Sequence, residues 1–336
     1  MRIGFNPLKD KPLEESGYLH QIIIPVFIPN HQGYFKDSFK ILQLCLNSVF
    51  RTIHDKTWVT VVNNGSDKII VDYLDELYRE NKIHELIHTQ NIGKLNAILK
   101  GLSGNNIELV TIADSDVLFL SHWQIETNRV FAAFPKAGVV GIVPQYRSFA
   151  INCYNTIVDH FFDKKLQFIP VKNPEALKHF YASIGWNDNS NPDYLKVSLG
   201  MVGGNDFKVY LGSGHFVATY KKDMFEEIVT YIGYKMGGDS ESYLDAISLN
   251  KDYWRLTTHD NYAYHMGNSH ESWMDEVTFI KDETDDFQSD FHTFKKINKV
   301  HFYIKNHIFR KLFKNKRLRR WFYRFKKMPA AMVSKY

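Results

Sequence analysis

The sequence predicts an α/β fold in which a mostly parallel sheet is flanked by helices. Two observations support this prediction: strand and helix signals alternate over the first 145 residues, and 44% of the 336 residues are apolar. An alternation of strands with helices places helices on both faces of a largely parallel sheet. A chain of this length can bury a sizeable core, so we expect one large domain with an appendage.

Five segments have the character of buried strands, because each is rich in β-branched or other apolar residues and ends near turn-forming residues. They are HQIIIPVFIP (20–29), WVTVVNNGS (58–66), HELIHT (84–89), IELVTIADSD (107–116) and AGVVGIVP (137–144). Apolar residues at helical spacing predict helices between them, over 35–53, 67–81 and 93–102. The second of these helices is expected to be capped near Ser66 or Asp67.

The alternation is lost after residue 145. Residues 145–210 contain long polar turns without a clean period, and a strand that runs into a helix is expected over 209–228. A further helix over 240–254 and a strand after it complete the expected elements. We therefore divide the chain into three parts, 1–145, 146–294 and 295–336.

The cysteines and the lengths of the apolar runs indicate the cellular compartment in which the protein is expected. Cys45 and Cys153 both lie in apolar surroundings, which indicates neither a disulfide framework nor a zinc site and suits a reducing compartment. The N-terminal segment lacks the apolar stretch of a signal peptide. No run approaches the roughly 18 uninterrupted apolar residues of a spanning helix. A cytoplasmic location is the resulting prediction.

The basic charge is concentrated at the C-terminal end. Residues 295–336 hold fifteen of the 42 Lys and Arg and no Asp or Glu, which leaves 27 basic against 37 acidic residues elsewhere. Within 300–327, apolar side chains recur at helical spacing with basic residues between them. A basic amphipathic helix of this kind is typical of proteins that lie on an anionic membrane surface, here the inner face of the cell membrane.

Two other interpretations of this tail stay open. The helix could pack on its own acidic domain or on a partner subunit. Nucleic acid is the less favoured partner, because the acidic body would repel a polyanion and no nucleic-acid-binding fold is recognisable.

The segment Ile112–Asp116, IADSD, delivers two carboxylates to the end of an apolar strand. Either the pair lies in a solvated turn or it holds a hard divalent cation such as Mg²⁺ or Mn²⁺, which prefers oxygen ligands. Asn63–Ser66 also follow a predicted strand. Ligands of open α/β sheets bind outside the carboxyl ends of the strands, so the two segments are expected to lie close together.

Taken together, these motifs resemble those of family 2 glycosyltransferases of GT-A fold. The N-terminal motifs are IPVFIPN (24–30), CLNSVF (45–50), VVNNGS (61–66), NIGKLNAILKGL (91–102), TIADSDVLFL (111–120) and FPKAGVVG (134–141). Two C-terminal motifs are GSGHFVATYKKDMFEEI (212–228) and GGDSESY (237–243). The resemblance implies a Rossmann-like GT-A domain that binds a nucleoside-diphosphate sugar and uses Mn²⁺ or Mg²⁺.

The resemblance also implies roles for residues of the donor site. Pro25 and Val26 would line the base and ribose pocket, and Lys94 would lie near the diphosphate. Asn63, with Asn64 beside it, stands where the family often has an acid that contacts the base. An amide can still bond a pyrimidine, and a UDP-sugar is the favoured donor.

The metal and its surroundings follow from the same resemblance. Asp114, with Ser115 beside it, would contact the ribose or a metal-bound water. Asp114 would also be a metal ligand. Asp116 would bind the metal directly. His265 stands where the family often has a metal-binding histidine, although a histidine among tyrosines is often simply packed.

An inverting transferase needs a base to accept the proton of the acceptor hydroxyl. The family supplies it from an acidic motif before a late helix, for which this chain has GGDSES, so Asp239 is the first candidate and Glu241 the second. The other interpretation is structural, because Asp239 could cap the helix that follows.

These features predict a metal-dependent, inverting glycosyltransferase acting on a glycan or lipid-linked saccharide, as in synthesis of a bacterial surface polysaccharide. In that interpretation, 1–145 bind the donor, 146–294 form the acceptor side with the base, and 295–336 form the basic amphipathic tail. Two alternatives are a degenerate GT-A protein that acts as a binding or scaffold module and a sugar nucleotidyltransferase. The latter normally has a Gly-rich basic loop after its first strand, which IPVFIPNHQG lacks.

Overall fold

The computed structural model describes residues 4–6, 8–12, 16–186, 191–226, 231–233, 235, 239–282, 287 and 291–336, with the backbone alone for 239–241. Its strands are β1 His20–Val26, β2 Thr57–Asn64, β3 Glu85–Thr89, β4 Leu109–Ala113, β5 Val117–Phe119, β6 Ala137–Gly141, β7 Leu166–Pro170, β8 Val197–Val202, β9 Lys208–Leu211, β10 Val217–Lys221, β11 Trp254–Thr258 and β12 Ala263–His265.

The α-helices alternate with strands in the first half and cluster at the C-terminal end. They are α1 Ser38–Thr52, α2 Lys68–Arg79, α3 Lys94–Leu102, α4 Trp123–Ala133, α5 Tyr154–Asp159, α6 Pro174–Ser183, α7 Asp239–Ala246, α8 Lys299–Tyr303, α9 Phe309–Phe313 and α10 Lys316–Phe325. A π-helical turn, Ile304–Ile308, joins α8 to α9.

Ten strands form one sheet in the order β3-β2-β1-β4-β10-β6-β11-β9-β8-β7. The pairing directions make β1, β2, β3, β4, β6, β8 and β11 run one way and β7, β9 and β10 the other. The sheet is therefore mostly parallel and flanked by helices, and the predicted α/β fold class is confirmed. A separate two-stranded sheet pairs β5 with β12.

The central strands are buried on both faces because helices cover each side. Ile22 and Ile24 pack in the core that contains α1 and α2, whereas Ile23, between them, packs in the core that contains α3. Alternate residues of a strand point to opposite faces, which explains this division. A Cβ on Gly101 would lie 2.9 Å from Ile23 Cγ2, so glycine is what allows α3 to approach the sheet this closely.

The predicted elements of the first half are confirmed with small shifts in their ends. Helix α2 begins after Asp67, whose carboxylate accepts from the backbone N–H of Ile70 at 3.2 Å, as a capping residue does.

The elements predicted for the second half differ from those in the structure. The segment 209–228 was expected to be one strand followed by a helix, but it forms β9, a turn, β10 and a 3₁₀ turn over Lys222–Phe225. The predicted helix 240–254 is shorter, because α7 ends at Ala246 and a 3₁₀ turn over Ile247–Lys251 leads into β11.

The C-terminal tail packs on the body of the protein. Phe313, Phe322 and Tyr323 are buried in the same core cluster as Phe149 and Phe168. This arrangement agrees with the interpretation in which the tail packs on its own domain, and it leaves the opposite side of the tail exposed.

Polar contacts hold the tail in place. The Nζ of Lys326 donates to the carbonyl oxygens of His160 at 2.9 Å and Asp163 at 2.7 Å. Lys305 Nζ lies 2.6 Å from a carboxylate oxygen of Asp159. Both lysines are directed into the protein, so neither contributes charge to the outer surface. Among the described residues, no helix is long and apolar enough to cross a membrane.

We predict that replacing a buried residue of the tail destabilises the whole fold. Phe322 is 0% exposed, so Phe322→Ala should lower the free energy of unfolding by about 3–5 kcal/mol. The neighbouring Trp321 is 47% exposed, and Trp321→Ala should have a much smaller effect. Urea unfolding of both variants measures the difference; equal, small effects would mean that the tail does not share the core.

Candidate functional site

The candidate site lies at the carboxyl ends of β1, β2 and β4. Strand β4 ends at Ala113, and the turn Asp114–Asp116 leads directly into the buried strand β5. The backbone N–H of Asp114 donates to the carbonyl oxygen of Phe216 at 2.8 Å, just before the antiparallel strand β10. Both ends of the turn are thus attached to strands, as the sequence predicts.

Lys94 and Asp114 form an ion pair at this edge. Lys94 is the first residue of α3, and its Nζ lies 2.6 Å from Asp114 Oδ1, with about a quarter of each side chain exposed. The backbone N–H of Lys94 donates to the carbonyl oxygen of Lys235 at 3.0 Å. Lys94 therefore places a positive charge beside the first aspartate of the turn.

Asp116 lies beside His265 because β5 and β12 are paired. Val117 is opposite His265 in the register, and the N–H of Met266 donates to the carbonyl oxygen of Asp116 at 2.8 Å. His265 Nε2 is 3.5 Å from Asp116 Oδ2, while its Nδ1 is 3.0 Å from Ser183 Oγ at the end of α6. The pair joins two segments that are distant in the sequence.

The carboxylate of Asp116 is held in an unfavourable setting. Burial raises its pKa from 3.8 to about 6, and Asp114 adds to the rise, although His265 and Lys94 oppose it. The side chain as a whole is 28% exposed, but its Oδ1 is enclosed and has no hydrogen-bond partner. A buried carboxylate oxygen without a partner destabilises the folded state in the absence of a cation.

These residues fit a divalent cation only in part. Asp116 and His265 supply the oxygen and nitrogen donors that Mn²⁺ accepts, and the unpaired Oδ1 of Asp116 gives a reason for a cation. Asp114 is paired with Lys94 instead. In the part of the chain that the structure describes, no group of three or more His, Cys, Asp or Glu is gathered as a ligand set. A cation here would need further ligands from a bound molecule.

The predicted base-pocket residues are buried at the ends of β1 and β2. Pro25 and Val26 are buried, and Val26 lies opposite Asn63 in the parallel register. Asn63 is itself buried, and its amide is used internally: Oδ1 accepts from the N–H of Ser66 at 3.0 Å, and Nδ2 lies 2.9 Å from His88 Nδ1.

Asn64 forms a hydrogen bond with the loop that precedes α3. Its Oδ1 accepts from the N–H of Ile92 at 2.9 Å. The loop also lies close to Gly65, where a Cβ would come within 2.7 Å of the backbone nitrogen of Asn91 and φ is +91°. These contacts bring the start of α3, and with it Lys94, to the ends of β2 and β4. Ser115 is half-buried between the two aspartates.

The two predicted catalytic acids lie in α7, which begins at Asp239. The side chains of Asp239 and Glu241 lie outside the described residues, so their roles as a base or as a helix cap stay predictions.

The structure brings together a charged group that no sequence motif indicated. It consists of Asp245 of α7, Arg255 of β11 and His215. Arg255 of β11 is fully buried, and its Nη2 donates to Asp245 Oδ1 at 2.7 Å and to the carbonyl oxygen of Ser213 at 2.7 Å. Asp245 Oδ2 is 3.4 Å from His215 Nδ1, and His215 precedes Phe216, the residue that bonds Asp114.

The electrostatics of Asp245 differ from those of Asp116. Burial alone would raise its pKa, but the hydrogen bond with His215 and the charge of Arg255 outweigh burial and hold the pKa below its usual value. Asp245 is therefore a carboxylate that is paired with Arg255 and lies beside the His215 ring. The signals in the sequence were an arginine inside an apolar strand, WRLTT, and a histidine in GSGHF, neither of which indicates a partner by itself.

Comparison with known families gives a match over the segment that carries this site. The family described as glycosyl transferase family 2 matches residues 25–180, from Pro25 in β1 into α6 and including the Asp114–Asp116 turn. Over residues 25–180 the chain is therefore similar to this family, and the resemblance predicted from the N-terminal motifs is confirmed for that segment. The GT-A class agrees with the mostly parallel sheet of this region. A comparison with curated protein sequences gives no significant match.

Several solved structures show a distant likeness. Residues 1–349 of S. aureus TarS match with 14% identity and a TM-score of 0.44, covering 74% of this chain and 60% of that one. The same fragment in complex with UDP-GlcNAc gives 12% and 0.42, with 94% and 70% covered. GalNAc-T7 with UDP, GalNAc and Mn²⁺ gives 11% and 0.47, with 75% and 44% covered. The chain thus spans less than two thirds of the length of two of these structures, and the likeness is too low to indicate substrates.

We predict that Asp116→Asn stabilises the metal-free protein at neutral pH. The folded-state pKa of Asp116 lies above its ordinary value, so its ionisation costs stability progressively from about pH 4 to about pH 6 and fully above that. Removing the charge should raise the free energy of unfolding by roughly 1–3 kcal/mol at pH 8, with a smaller gain at pH 5. Urea unfolding with EDTA measures it.

Asp55→Asn is the matched control for this measurement. Asp55 lies just before β2, at the opposite edge of the sheet, and is 81% exposed beside Lys281. Its replacement should change stability little at either pH. If Asp116→Asn is no more stable than the wild type at pH 8, the carboxylate does not carry the predicted burial cost.

Proposed function

We propose that this protein is an inverting glycosyltransferase that moves a sugar from a nucleoside-diphosphate sugar to a glycan or lipid-linked saccharide, as in synthesis of a bacterial surface polysaccharide. One observation carries the proposal: within a family 2 region, the Asp114–Asp116 turn lies at the carboxyl edge of the sheet between Lys94 and His265. A site of this kind combines positive charge with an unpaired carboxylate oxygen, as a diphosphate bound with a cation requires.

Asp116 and His265 are the residues that would hold Mn²⁺ or Mg²⁺, and oxygens of the donor diphosphate would complete the ligand set. When bound, the cation supplies stabilisation of the negative charge that gathers on the departing diphosphate. Asp114 is a ligand only if its pairing with Lys94 opens on donor binding. This dependence on the donor accounts for why the described residues hold no complete ligand set without it.

The protein's own groups bind and orient the donor. Lys94 brings a positive charge to the same place and would contact the diphosphate once the nucleotide enters. Pro25, Val26 and the Asn63–Asn64 corner form the floor on which the base and ribose would lie. Because the Asn63 amide already bonds Ser66 and His88, it would read the base through its remaining N–H. A uridine nucleotide is therefore the first donor to test.

The acceptor proton is assigned to Asp239, with Glu241 as the second choice. Support comes from the position of α7. Asp245 in this helix lies beside His215, and the next residue, Phe216, accepts a hydrogen bond from Asp114. Asp239 precedes Asp245 by six residues, which is about 9 Å along a helix axis. This short offset from Asp245 supports a base at the start of α7 that faces the donor edge.

Calorimetric titration of UDP and of GDP tests the donor site, with Mn²⁺ and with EDTA. We expect one nucleotide to bind only with the metal, and Asp116→Ala to weaken it roughly 100-fold, about 2.7 kcal/mol. Asp55→Ala should bind as the wild type does. If no nucleotide binds in any condition, the scaffold interpretation replaces the enzyme; nucleoside triphosphate binding with release of pyrophosphate would indicate the nucleotidyltransferase.

Substitutions in α7 test the base. Asp239→Asn should lower sugar transfer by about 10²–10⁴-fold while leaving UDP affinity unchanged, because a base acts on the acceptor hydroxyl. Glu241→Gln is the comparison: a loss confined to Glu241→Gln would transfer the role to that residue. A loss of helix stability without a specific loss of transfer in Asp239→Asn would support the capping role. Circular dichroism and transfer of labelled sugar give the two readouts.

A further inference from the structure

The basic tail presents an outer surface that the fold does not use. On its inner side, Phe313, Phe322 and Tyr323 are buried in the body. Several large apolar side chains remain exposed on its outer side and on the adjoining body, and we call six of them the docking face. They are Ile304, Ile308, Leu312, Trp321 and Phe325 of the tail and Phe162 of the body.

The docking face consists of two connected parts. Ile304, Ile308 and Leu312 recur every four residues and so share one side of the helix that runs from α8 through the π turn into α9. Trp321 and Phe325 stack with ring centroids 5.3 Å apart and parallel planes. Helix α9 packs against α10, with the ring centroids of Phe313 and Phe322 5.0 Å apart, and this contact attaches the two parts to each other.

Phe162 and Phe161 join the body to this surface. Phe162 is 78% exposed, and its ring centroid lies 6.4 Å from that of Phe325. Phe161 touches both Trp321, at 6.0 Å, and Phe309, at 5.7 Å. The apolar surface therefore extends from the tail onto the loop after α5, which the amphipathic pattern of the tail alone does not indicate.

Exposed basic side chains alternate with the apolar residues of the docking face along the tail. They are Lys299, Arg310, Lys311, Lys314, Lys316, Arg317, Arg320, Arg324 and Lys327. No acidic residue occurs anywhere in 295–336. The inward-directed Lys305 and Lys326 are held by Asp159 and by backbone carbonyls, so they belong to the attachment of the tail and not to this surface.

We propose that the docking face is the surface by which this protein lies on an anionic lipid bilayer. The exposed apolar side chains suit the acyl boundary of a bilayer. The basic side chains suit its anionic headgroups. A nucleic acid fits less well, since the aliphatic side chains of Ile304, Ile308 and Leu312 offer bases no stacking platform, whereas acyl chains accept aliphatic and aromatic side chains alike. A lipid-linked acceptor would be met at this surface, and only that consequence depends on the proposed glycosyltransferase function.

Cosedimentation of the full chain with vesicles tests the proposal. The vesicles are phosphatidylcholine alone and roughly two parts phosphatidylcholine to one part phosphatidylglycerol. We expect binding to the anionic vesicles, weakened by salt, and little to the neutral ones. The combined variant Phe162→Ala, Trp321→Ala and Phe325→Ala should lose binding while lowering the melting temperature much less than Phe322→Ala does, because its three side chains are exposed and Phe322 is buried.

Charge variants test the electrostatic part. Lys314→Gln and Arg317→Gln should each weaken binding to the anionic vesicles by roughly fivefold, which corresponds to about 1 kcal/mol per basic group. Lys68→Gln and Lys82→Gln are matched controls, since they remove exposed lysines far from the tail and should leave binding unchanged. Nucleotide titration in the absence of vesicles reports the donor site separately, so either proposal can fail alone.

Three results would overturn the proposal. The first is absence of binding to both kinds of vesicle, and the second is equal binding to both. The third is binding that the aromatic substitutions leave unchanged and that single-stranded RNA abolishes, which would identify the tail as a polyanion-binding surface.

Discussion

The pairing of β10 with β4 is the contact on which the rest of this structure depends. Strand β4 lies between the parallel strand β1 and the antiparallel strand β10, so it joins the two halves of the chain in one sheet. Because β10 runs the opposite way, the residue just before it lies beside the residue just after β4, and Phe216 accepts from Asp114 there. The same contact that completes the core thus places the second half of the chain at the Asp114–Asp116 turn.

The site combines two carboxylates that meet opposite requirements. Asp116 has an enclosed oxygen without a partner and a raised pKa, and both features support the proposed cation site. Asp245 is ion-paired with the buried Arg255 and hydrogen-bonded to His215, and these contacts hold its pKa down. One carboxylate therefore has an oxygen without a partner, whereas the other is part of the framework that holds the β9–β10 turn. Burial is common to both, and the difference comes from their partners.

The tail divides its side chains between structure and surface. Its aromatic residues on one side complete a core with β7 and β8, which would otherwise end the sheet exposed on that face. Once they are buried, Ile304, Ile308, Leu312, Trp321 and Phe325 are left facing outward among basic residues. A helix that had only to cover the core would have no use for this second apolar surface, and a helix that served lipid alone would not bury Phe322.

The sequence by itself determined the parallel half of the sheet, the Asp114–Asp116 turn and the amphipathic basic tail, because these depend on periodicities and turn residues that are local. The tertiary structure alone decided that a second strand, β10, follows β9 before any helix, how close His265 lies to Asp116, and that Arg255 and His215 meet at Asp245. It also decided which side of the tail is buried. Each of these is a contact between residues far apart in the chain, whose register is set by packing and which leaves no periodic signal in either segment.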